Sequence, residues 1–291
     1  MTTLRLSAHG KINLTLEVLG ERDDGYHEIA SVMQTISLAD SLCLEESDSI
    51  TIECDSDSLA TPQNLAFKAA ELVREKAGRS GGVHIQLEKR IPVASGLGGG
   101  SSDAAAVLKA LNSLWGLGMS LDELDPLAAR LGSDVPFFLR EGTAVVLGRG
   151  EKVRPVRPAD LGWMVVAVPA VSIPGKTAAM YGAVASSDYT RGALTRKLGA
   201  RIDGGGDVPP QFLFNAFDAV ALEVVPELKE SWDSLVSLGA REVHLAGSGP
   251  AMFAPVSRKE LGTALQLVLG SRPGWQAHLV SAWTPDESGP G

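Results

Sequence analysis

The sequence predicts an α/β chain organised as α+β layers in two domains. Its first part opens with alternating strands and leads through a glycine-rich loop into an alanine-rich helix, whereas its second part interleaves helices with short strands. The length of 291 residues exceeds the usual single domain of roughly 100 to 150 residues. We therefore place one domain at residues 1–155 and a second at residues 156–291.

The first domain should begin with strands. Every second residue from Ile12 to Val18 is apolar, which is typical of a strand with one buried face and one open face, the latter carrying Lys11 and Asn13. Asp23-Asp24-Gly25 predicts the turn that follows. Further strands are expected over residues 29–38, 41–46, 50–54 and 83–88.

The remaining elements follow from capping residues and composition. A helix over 65–77 should be capped by Asn64 and closed by Gly78. Two more helices are expected over 103–114, after the glycine-rich loop, and over 121–131. In the second domain we expect strands over 163–168, 244–246, 251–256 and 276–283, a linker-like segment over 203–210, and helices within 212–238, broken at Pro226, and over 258–269.

Composition and charge exclude several classes of protein. The net charge is −9, with no block of like charges, so neither nucleic acid nor an anionic membrane is expected as a partner. We recognise no secretion signal or transmembrane span, which predicts a cytoplasmic protein. Cys43 and Cys54 form no CxxC pair and are expected as reduced thiols in strands, while the five histidines form no HExxH or HxxxH motif that would name a metal site. No feature specifies an oligomeric state.

One glycine-rich segment favours phosphate binding. The loop from Ile91 to Ala105 (IPVASGLGGGSSDAA) can direct backbone N–H groups and a helix N-terminus toward an anion. The alternative is a close-packed helix entry in which Ser101 or Ser102 is the N-cap.

Two other glycine signals are weaker. Gly96, Gly98 and Ser101 match the dinucleotide fingerprint GxGxxG imperfectly, and no second strand ends in an acidic residue about 20 positions later. Gly175-Lys176-Thr177 matches the end of a Walker A motif, but Ala170 replaces the required first glycine and Pro174 interrupts the segment. We therefore expect a chance match and only a mild effect of Lys176→Ala.

Several polar residues are ambiguous by themselves. Lys11 and Asn13 fit a solvated strand face. Asp134 could cap the turn that begins at Val135. Tyr26 and His27, after the predicted turn, fit ordinary packing at the edge of a sheet.

Their combination in one chain order is more specific. Residues 92–106 resemble the phosphate loop, and 244–253 (HLAGSGPAMF) the C-terminal glycine motif, of the GHMP kinase superfamily. Within that superfamily, residues 8–14, 24–29 and 131–138 closely resemble the branch that phosphorylates 4-diphosphocytidyl-2-C-methyl-D-erythritol. The similarity extends over nearly the whole chain, from about residue 4 to residue 283.

The resemblance implies a two-domain GHMP kinase fold with the active site in the interdomain cleft. It implies ATP-dependent phosphorylation of the 2-hydroxyl of a small cytidylyl methylerythritol substrate, with Mg²⁺, in non-mevalonate isoprenoid precursor synthesis. Asp134 and Lys11 match the catalytic pair. The matches to ATP-binding positions are Asn64, Leu65, Lys89, Pro92, Gly96, Leu97, Gly98, Gly99, Gly100, Ser101 and Ser102. The matches to substrate-binding positions are Asn13, Tyr26, His27, Thr177, Tyr181, Gly247 and Ser248.

Two alternatives remain open. The chain could be another small-molecule GHMP kinase, of the homoserine or mevalonate type, or a catalytically silent binding protein with the same fold. Tyr26 and His27 argue against the first, because a substrate without a base has no use for them. Lys11 and Asp134 argue against the second, since both matched catalytic positions are intact. One departure from the family pattern is Ala216, where an acidic residue is expected.

Overall fold

The computed structural model describes residues 3–171 and 175–285. The strands in these ranges are β1 (Thr3–Glu21), β2 (His27–Ser47), β3 (Thr51–Cys54), β4 (Gly82–Glu88), β5 (Thr143–Gly148), β6 (Lys152–Pro155), β7 (Trp163–Val168), β8 (Phe214–Asn215), β9 (His244–Leu245), β10 (Met252–Val256) and β11 (Gln276–Ser281). The helices are α1 (Leu65–Ala77), α2 (Gly99–Leu114), α3 (Leu121–Leu131), α4 (Val135–Arg140), α5 (Lys176–Ala183), α6 (Ala193–Asp203), α7 (Phe217–Val224), α8 (Pro226–Ser237) and α9 (Lys259–Gly270).

The chain separates into two compact units. Unit 1 contains the residues up to Gly10, Leu38–Val93 and Gly98–Glu141, and unit 2 contains Lys11–Ser37, Ala94–Leu97 and the residues from Gly142 onward. The long strands β1 and β2 therefore contribute residues to both units, as does the glycine-rich loop. The predicted domains 1–155 and 156–291 are a different division of the chain and stay a prediction.

Unit 1 combines a small sheet with helices. β3 runs parallel to β4, and β4 pairs antiparallel with the C-terminal part of β2, where Ser41 lies opposite Glu88. α1 packs against β4 and α2, and α2 packs against α3 and α4. Fully buried side chains such as Val73, Leu108 and Phe137 form the core between them. This packing fixes the start of α2, directly after the glycine-rich loop.

Unit 2 contains two sets of strands. The C-terminal part of β1 pairs in parallel with β8, while the N-terminal part of β2 pairs antiparallel with β5, which pairs with β6. A separate antiparallel sheet has the order β11-β7-β10-β9. α9 packs on β7, β10 and β11, and the core includes Val165, Met252, Phe217 and Leu265.

The best-defined predicted helix is confirmed at both ends. α1 spans the predicted residues, with Asn64 Oδ1 accepting a hydrogen bond from the Ala66 N–H at 2.9 Å. Gly78 closes it in the left-handed region with φ of 60°. Here local capping chemistry is sufficient to set the boundaries.

Other boundaries differ from the prediction. The expected strands 29–38 and 41–46 form one continuous strand, β2, and α2 begins four residues before Asp103, at Gly99. β5, β6, α5 and α6 were not expected from the sequence. Gly199 lies inside α6 and weakens the helical pattern, but a Cβ there would lie 2.6 Å from Val145 Cγ2. The glycine is needed for the close approach of α6 to β5.

The polar face of β1 is not open, contrary to the prediction. Lys11 is 3% exposed and Asn13 is 1% exposed. Further along the same face, Thr15 Oγ1 lies 2.8 Å from Thr195 Oγ1, and the Thr195 N–H donates to Glu17 Oε2 at 2.8 Å. α6 therefore covers this face, and polar side chains on it are satisfied by one another instead of by water.

The two thiols are free and lie in strands as expected, Cys43 in β2 and Cys54 in β3. Over residues 3–171 and 175–285, no helix is long and apolar enough to cross a membrane. Pro174 lies outside the described residues.

Candidate active site

The glycine-rich loop ends in the first turn of α2. Gly98 is the N-cap residue, with φ of 75°, and makes no side-chain cap, while the Ser102 N–H donates to Gly98 O at 2.9 Å. Ser101 and Ser102 are thus inside the first turn, so the N-cap role considered for them is wrong. The first N–H groups of a helix have no partner within it and carry the positive end of the helix dipole. This part of unit 1 can bind an anion.

A buried ionic cluster joins the two ends of this loop. Lys89 Nζ donates to Asp103 Oδ2 at 2.7 Å and also to Asp40 Oδ2. Asp40 Oδ1 accepts hydrogen bonds from the N–H groups of Arg90 and Ile91, at 2.6 and 2.8 Å. The cluster therefore fixes the residues that enter the loop to α2 at Asp103, its fifth residue.

The cluster shifts the protonation of its members. Burial raises the pKa of Asp103 to about 7, and the Asp40 carboxylate adds to this effect against the attraction of Lys89. Burial lowers the pKa of Lys89, but Asp103 and Asp40 outweigh it and the net pKa is raised. A Cβ at Gly99 would lie 3.2 Å from Lys89 Nζ, so the ammonium lies close to the first turn of α2.

Two other residues matched to ATP-binding positions, Asn64 and Leu65, lie at the start of α1. Both polar atoms of the Asn64 side chain form hydrogen bonds within the protein, because Oδ1 caps α1 and Nδ2 donates to Leu59 O at 3.0 Å. Leu65 Cδ1 lies 3.8 Å from the position of a Cβ at Gly100. The N-termini of α1 and α2 are therefore adjacent within unit 1.

Asp134 occupies the N-cap position of α4, but its side chain makes no capping hydrogen bond. The cap interpretation, considered from the sequence, is therefore not supported by the geometry. Gly132, two residues earlier, lies beside α2, since a Cβ there would be 3.9 Å from Ser101 Oγ. Asp134 is thus close in sequence to a turn that contacts α2.

In unit 2, Lys11 begins a buried chain of hydrogen bonds. Lys11 Nζ donates to Asn13 Oδ1 at 2.7 Å, and Asn13 Nδ2 donates to Ser31 Oγ at 2.8 Å. Ser31 Oγ donates in turn to Thr15 O at 2.5 Å. Because each partner is held by the next, the ammonium of Lys11 has a fixed position, which catalysis by charge stabilisation requires.

The C-terminal glycine motif packs directly on the loop segment 94–97. A Cβ at Gly96 would lie 2.0 Å from Ala246 O, and the Ala251 N–H donates to Ser95 O at 2.9 Å. A Cβ at Gly247 would lie 3.0 Å from Lys11 Nζ and 3.7 Å from Asn13 Oδ1. Glycine at these positions allows three segments distant in the sequence to meet.

Asn215 holds this motif in place. Its Nδ2 donates to Leu245 O and Gly247 O, both at 2.8 Å, and its Oδ1 accepts from the Phe217 N–H at 2.9 Å. Ala216, the departure from the family pattern, is the N-cap residue of α7 and makes no side-chain cap.

Aromatic rings cluster near the predicted base pocket. The rings of His27 and Tyr181 stack with centroids 4.8 Å apart and an interplanar angle of 26°, and Tyr189 approaches His27 edge-on at 6.3 Å. Tyr26 is 51% exposed, and the Arg149 guanidinium lies 4.9 Å from its ring centroid. Thr177 Oγ1 lies 3.3 Å from Ser248 Oγ. Two pairs of the matched substrate residues therefore contact each other directly, His27 with Tyr181 and Thr177 with Ser248.

The sequence interpretation missed four side chains of these arrangements: Ser31, Asp40, Asp103 and Asn215. Asp103 had a usable signal, because a carboxylate five residues after the N-cap glycine of a candidate phosphate-binding helix is unusual. Asp40 had none, since it is 49 residues from Lys89 and is brought to it only by strand pairing.

Comparison with known proteins identifies the family. Residues 64–142 match the profile of the GHMP kinases N terminal domain. A 4-diphosphocytidyl-2-C-methyl-D-erythritol kinase of Dehalococcoides mccartyi is 44% identical over 97% of this chain and 99% of its own length. The kinase of the same name from Symbiobacterium thermophilum is 42% identical over 90% of this chain and 94% of its own.

Solved structures agree with these relatives. A crystal structure of 4-(cytidine 5'-diphospho)-2C-methyl-D-erythritol kinase is 35% identical, covers 96% of this chain and all of its own, and has a TM-score of 0.81. A homoserine kinase from Cytophaga hutchinsonii, 18% identical, matches with a TM-score of 0.72 over 97% of this chain and 95% of its own and shares the two-domain fold. The chain belongs to the 4-diphosphocytidyl-2-C-methyl-D-erythritol kinase family.

Proposed function

We propose that this protein transfers the terminal phosphoryl group of ATP to the 2-hydroxyl of 4-diphosphocytidyl-2-C-methyl-D-erythritol, a step of non-mevalonate isoprenoid precursor synthesis. The observation that carries the proposal is the 44% identity, over 97% of the chain, to a kinase named for this substrate. As a member of a kinase family, the protein uses ATP to phosphorylate a small molecule. We place its activity in the cytoplasm, where ATP is available.

ATP binding is assigned to the start of α2 and the loop before it. Backbone N–H groups from Gly98 to Ser102 would cradle the phosphates at the positive end of the helix. The Lys89 cluster, which fixes both ends of the loop, supports this role. Asn64 and Leu65, both half-buried at the N-terminus of α1, would line the adenine site.

Phosphoryl transfer requires positioning and charge stabilisation more than covalent catalysis. We assign Lys11 to stabilising the charge that develops on the transferred group, because its ammonium is buried and fixed by Asn13. We assign Asp134 to accepting the proton of the attacking hydroxyl. The carboxylate is half-buried and does not cap α4.

The cytidine base is assigned to the aromatic cluster of unit 2. Tyr26 is exposed and can offer a ring face to a base, and His27 is held by its stack with Tyr181. Thr177 and Ser248, whose hydroxyls are 3.3 Å apart, would contact the remainder of the substrate together with Asn13 and Gly247.

Mg²⁺ is proposed to enter with the nucleotide. Among the described residues, no group of three His, Cys, Asp or Glu side chains is placed to hold a metal ion. Mg²⁺ commonly takes phosphate oxygens and water with only one or two protein ligands. When bound it would neutralise charge on the phosphates.

The test is incubation of the purified protein with ATP, Mg²⁺ and a panel of acceptors: the cytidylyl methylerythritol, homoserine and mevalonate. Mass spectrometry should detect one added phosphate on the cytidylyl acceptor and a matching yield of ADP. Phosphorylation of homoserine or mevalonate instead would assign another GHMP kinase activity. Binding of ATP without transfer to any of the acceptors would indicate a silent binding protein.

A further inference from the structure

Lys176 is the first residue of α5 and bridges two glycine-rich segments of unit 2. Its Nζ donates a hydrogen bond to Ala94 O at 2.7 Å and another to Gly249 O. Ala94 belongs to the phosphate loop, and Gly249 belongs to the C-terminal glycine motif. Lys176, which the sequence presents only as part of a chance Walker A match, therefore contacts two segments of the proposed active site through its ammonium group.

The neighbours of Lys176 place it beside proposed substrate contacts. The three consecutive residues Gly247, Ser248 and Gly249 are each approached by a different side chain. Lys11 Nζ lies 3.0 Å from the Cβ position of Gly247, Thr177 Oγ1 lies 3.3 Å from Ser248 Oγ, and Lys176 bonds the Gly249 carbonyl. The two lysines thus approach one short turn of backbone.

The charge of Lys176 is not neutralised by the protein. Both of its hydrogen-bond acceptors are uncharged carbonyls, and no carboxylate in the described part of the chain forms an ion pair with it. An ammonium has three N–H donors, so one remains for a further partner. Burial lowers the pKa of Lys176 to about 8, and the positive charge of Lys11 adds to this effect. An anion placed here would relieve the repulsion between the two cations.

We propose that Lys176 is a phosphate-binding residue of the active site, whose third N–H donates to a phosphate oxygen while its other two fix the phosphate loop to the C-terminal glycine motif. This inference rests on the proposed function. The phosphate oxygen could come from the triphosphate of ATP or from the diphosphate of the cytidylyl substrate, which present the same chemistry. The mild effect expected from the sequence for Lys176→Ala is thereby revised.

The test compares Lys176→Gln with Lys176→Arg and with Lys197→Gln. Lys197 is an exposed lysine of α6, so its glutamine variant has the same change in net charge. Loss of one charge-assisted hydrogen bond should raise KM for the affected substrate by roughly ten- to a hundredfold in Lys176→Gln. Lys176→Arg keeps the charge and should recover part of this loss, whereas Lys197→Gln should match the wild type.

The two substrates are titrated separately. A rise in the KM for ATP assigns Lys176 to the triphosphate, and a rise in the KM for the cytidylyl acceptor assigns it to the diphosphate. A fall in kcat with both KM values unchanged would indicate that Lys176 only holds the two glycine-rich segments together, and it would overturn the proposal. Wild-type kinetics in Lys176→Gln would overturn it as well.

A binding measurement separates this proposal from the proposed function. Inorganic pyrophosphate is titrated by calorimetry into wild-type protein and the same three variants, after urea unfolding has shown that each is folded. Weaker binding by Lys176→Gln than by Lys197→Gln supports the phosphate site even if the acceptor panel shows another activity. Equal affinities overturn it even if the kinase activity is found. If Lys176→Gln does not fold, the same comparison is made with Lys176→Met, which also lacks the charge; weaker pyrophosphate binding than in the Lys197 control supports the proposal, and an equal affinity overturns it.

Discussion

Replacing Gly96 by alanine should damage both the stability of the protein and its nucleotide loop. Gly96 has φ of 94°, a region that L residues with a side chain rarely adopt, and its Cβ would lie 2.0 Å from Ala246 O and 3.0 Å from Gly249 O. Ordinary contacts between a carbon and a carbonyl oxygen are at least about 3.3 Å. The loop and the glycine motif would therefore have to move apart by about 1 Å.

The magnitude follows from what this movement breaks. The left-handed backbone costs alanine about 1–2 kcal/mol. Separation strains two hydrogen bonds, Ala251 N–H to Ser95 O at 2.9 Å and Lys11 N–H to Leu97 O at 2.8 Å, each worth roughly 0.5–1.5 kcal/mol. We expect the free energy of unfolding to fall by about 2–5 kcal/mol in total. The KM for ATP should rise because the loop that cradles its phosphates is displaced.

Gly100→Ala is the matched control for stability. Gly100 lies in the first turn of α2, its backbone is not in the positive-φ region, and a Cβ would meet only Leu65 Cδ1, at 3.8 Å. The same substitution should there be neutral or stabilise by up to about 1 kcal/mol. Urea unfolding of both variants and the wild type measures the difference. Equal free energies of unfolding for Gly96→Ala and Gly100→Ala, within about 0.5 kcal/mol, would refute the reasoning.

Three further predictions concern the proposed site. Asp134→Asn and Lys11→Met should each lower kcat by roughly 10² to 10⁴, with unfolding of Asp134→Asn unchanged because Asp134 makes no cap; near-normal kcat at saturation would leave the proton acceptor unassigned. Tyr26→Ala and His27→Ala should raise the KM for the cytidylyl substrate roughly ten- to a hundredfold and leave that for ATP unaffected, by analogy with base stacking on aromatic platforms; unchanged values would argue against the base pocket. Asp103 has a raised pKa of about 7, so the folded state binds an extra proton below that pH and loses stability as pH rises through 4 to 7. In Asp103→Asn this loss is absent, while Lys89 keeps a hydrogen-bond acceptor. The free energy of unfolding of the variant relative to the wild type, measured with urea, should therefore be higher at pH 8 than at pH 5. A change of the opposite sign would contradict the assignment of the cluster.

Local chemistry predicted some elements accurately. α1 was predicted to the residue, because Asn64 and Gly78 supply the caps that define its ends. The glycine-rich loop and the helix after it were likewise expected, although α2 begins earlier than its alanine content alone indicated. α6 could not be predicted, since Gly199 makes its helical pattern weak and is explained only by the contact with Val145.

The sequence by itself determined the family, the order of its motifs and the residue types available for phosphoryl transfer, because these depend on identity and spacing along the chain. Only the tertiary structure decided which polar residues are buried and what they contact. The alternation of apolar and polar residues predicted that Lys11 and Asn13 lie on a solvated strand face. Packing against distant segments instead leaves their side chains 3% and 1% exposed. Lys176 and Gly249 are 73 residues apart and make a hydrogen bond. Local periodicity reports which face of a strand or helix is apolar, but contacts between distant segments depend on how the whole chain packs.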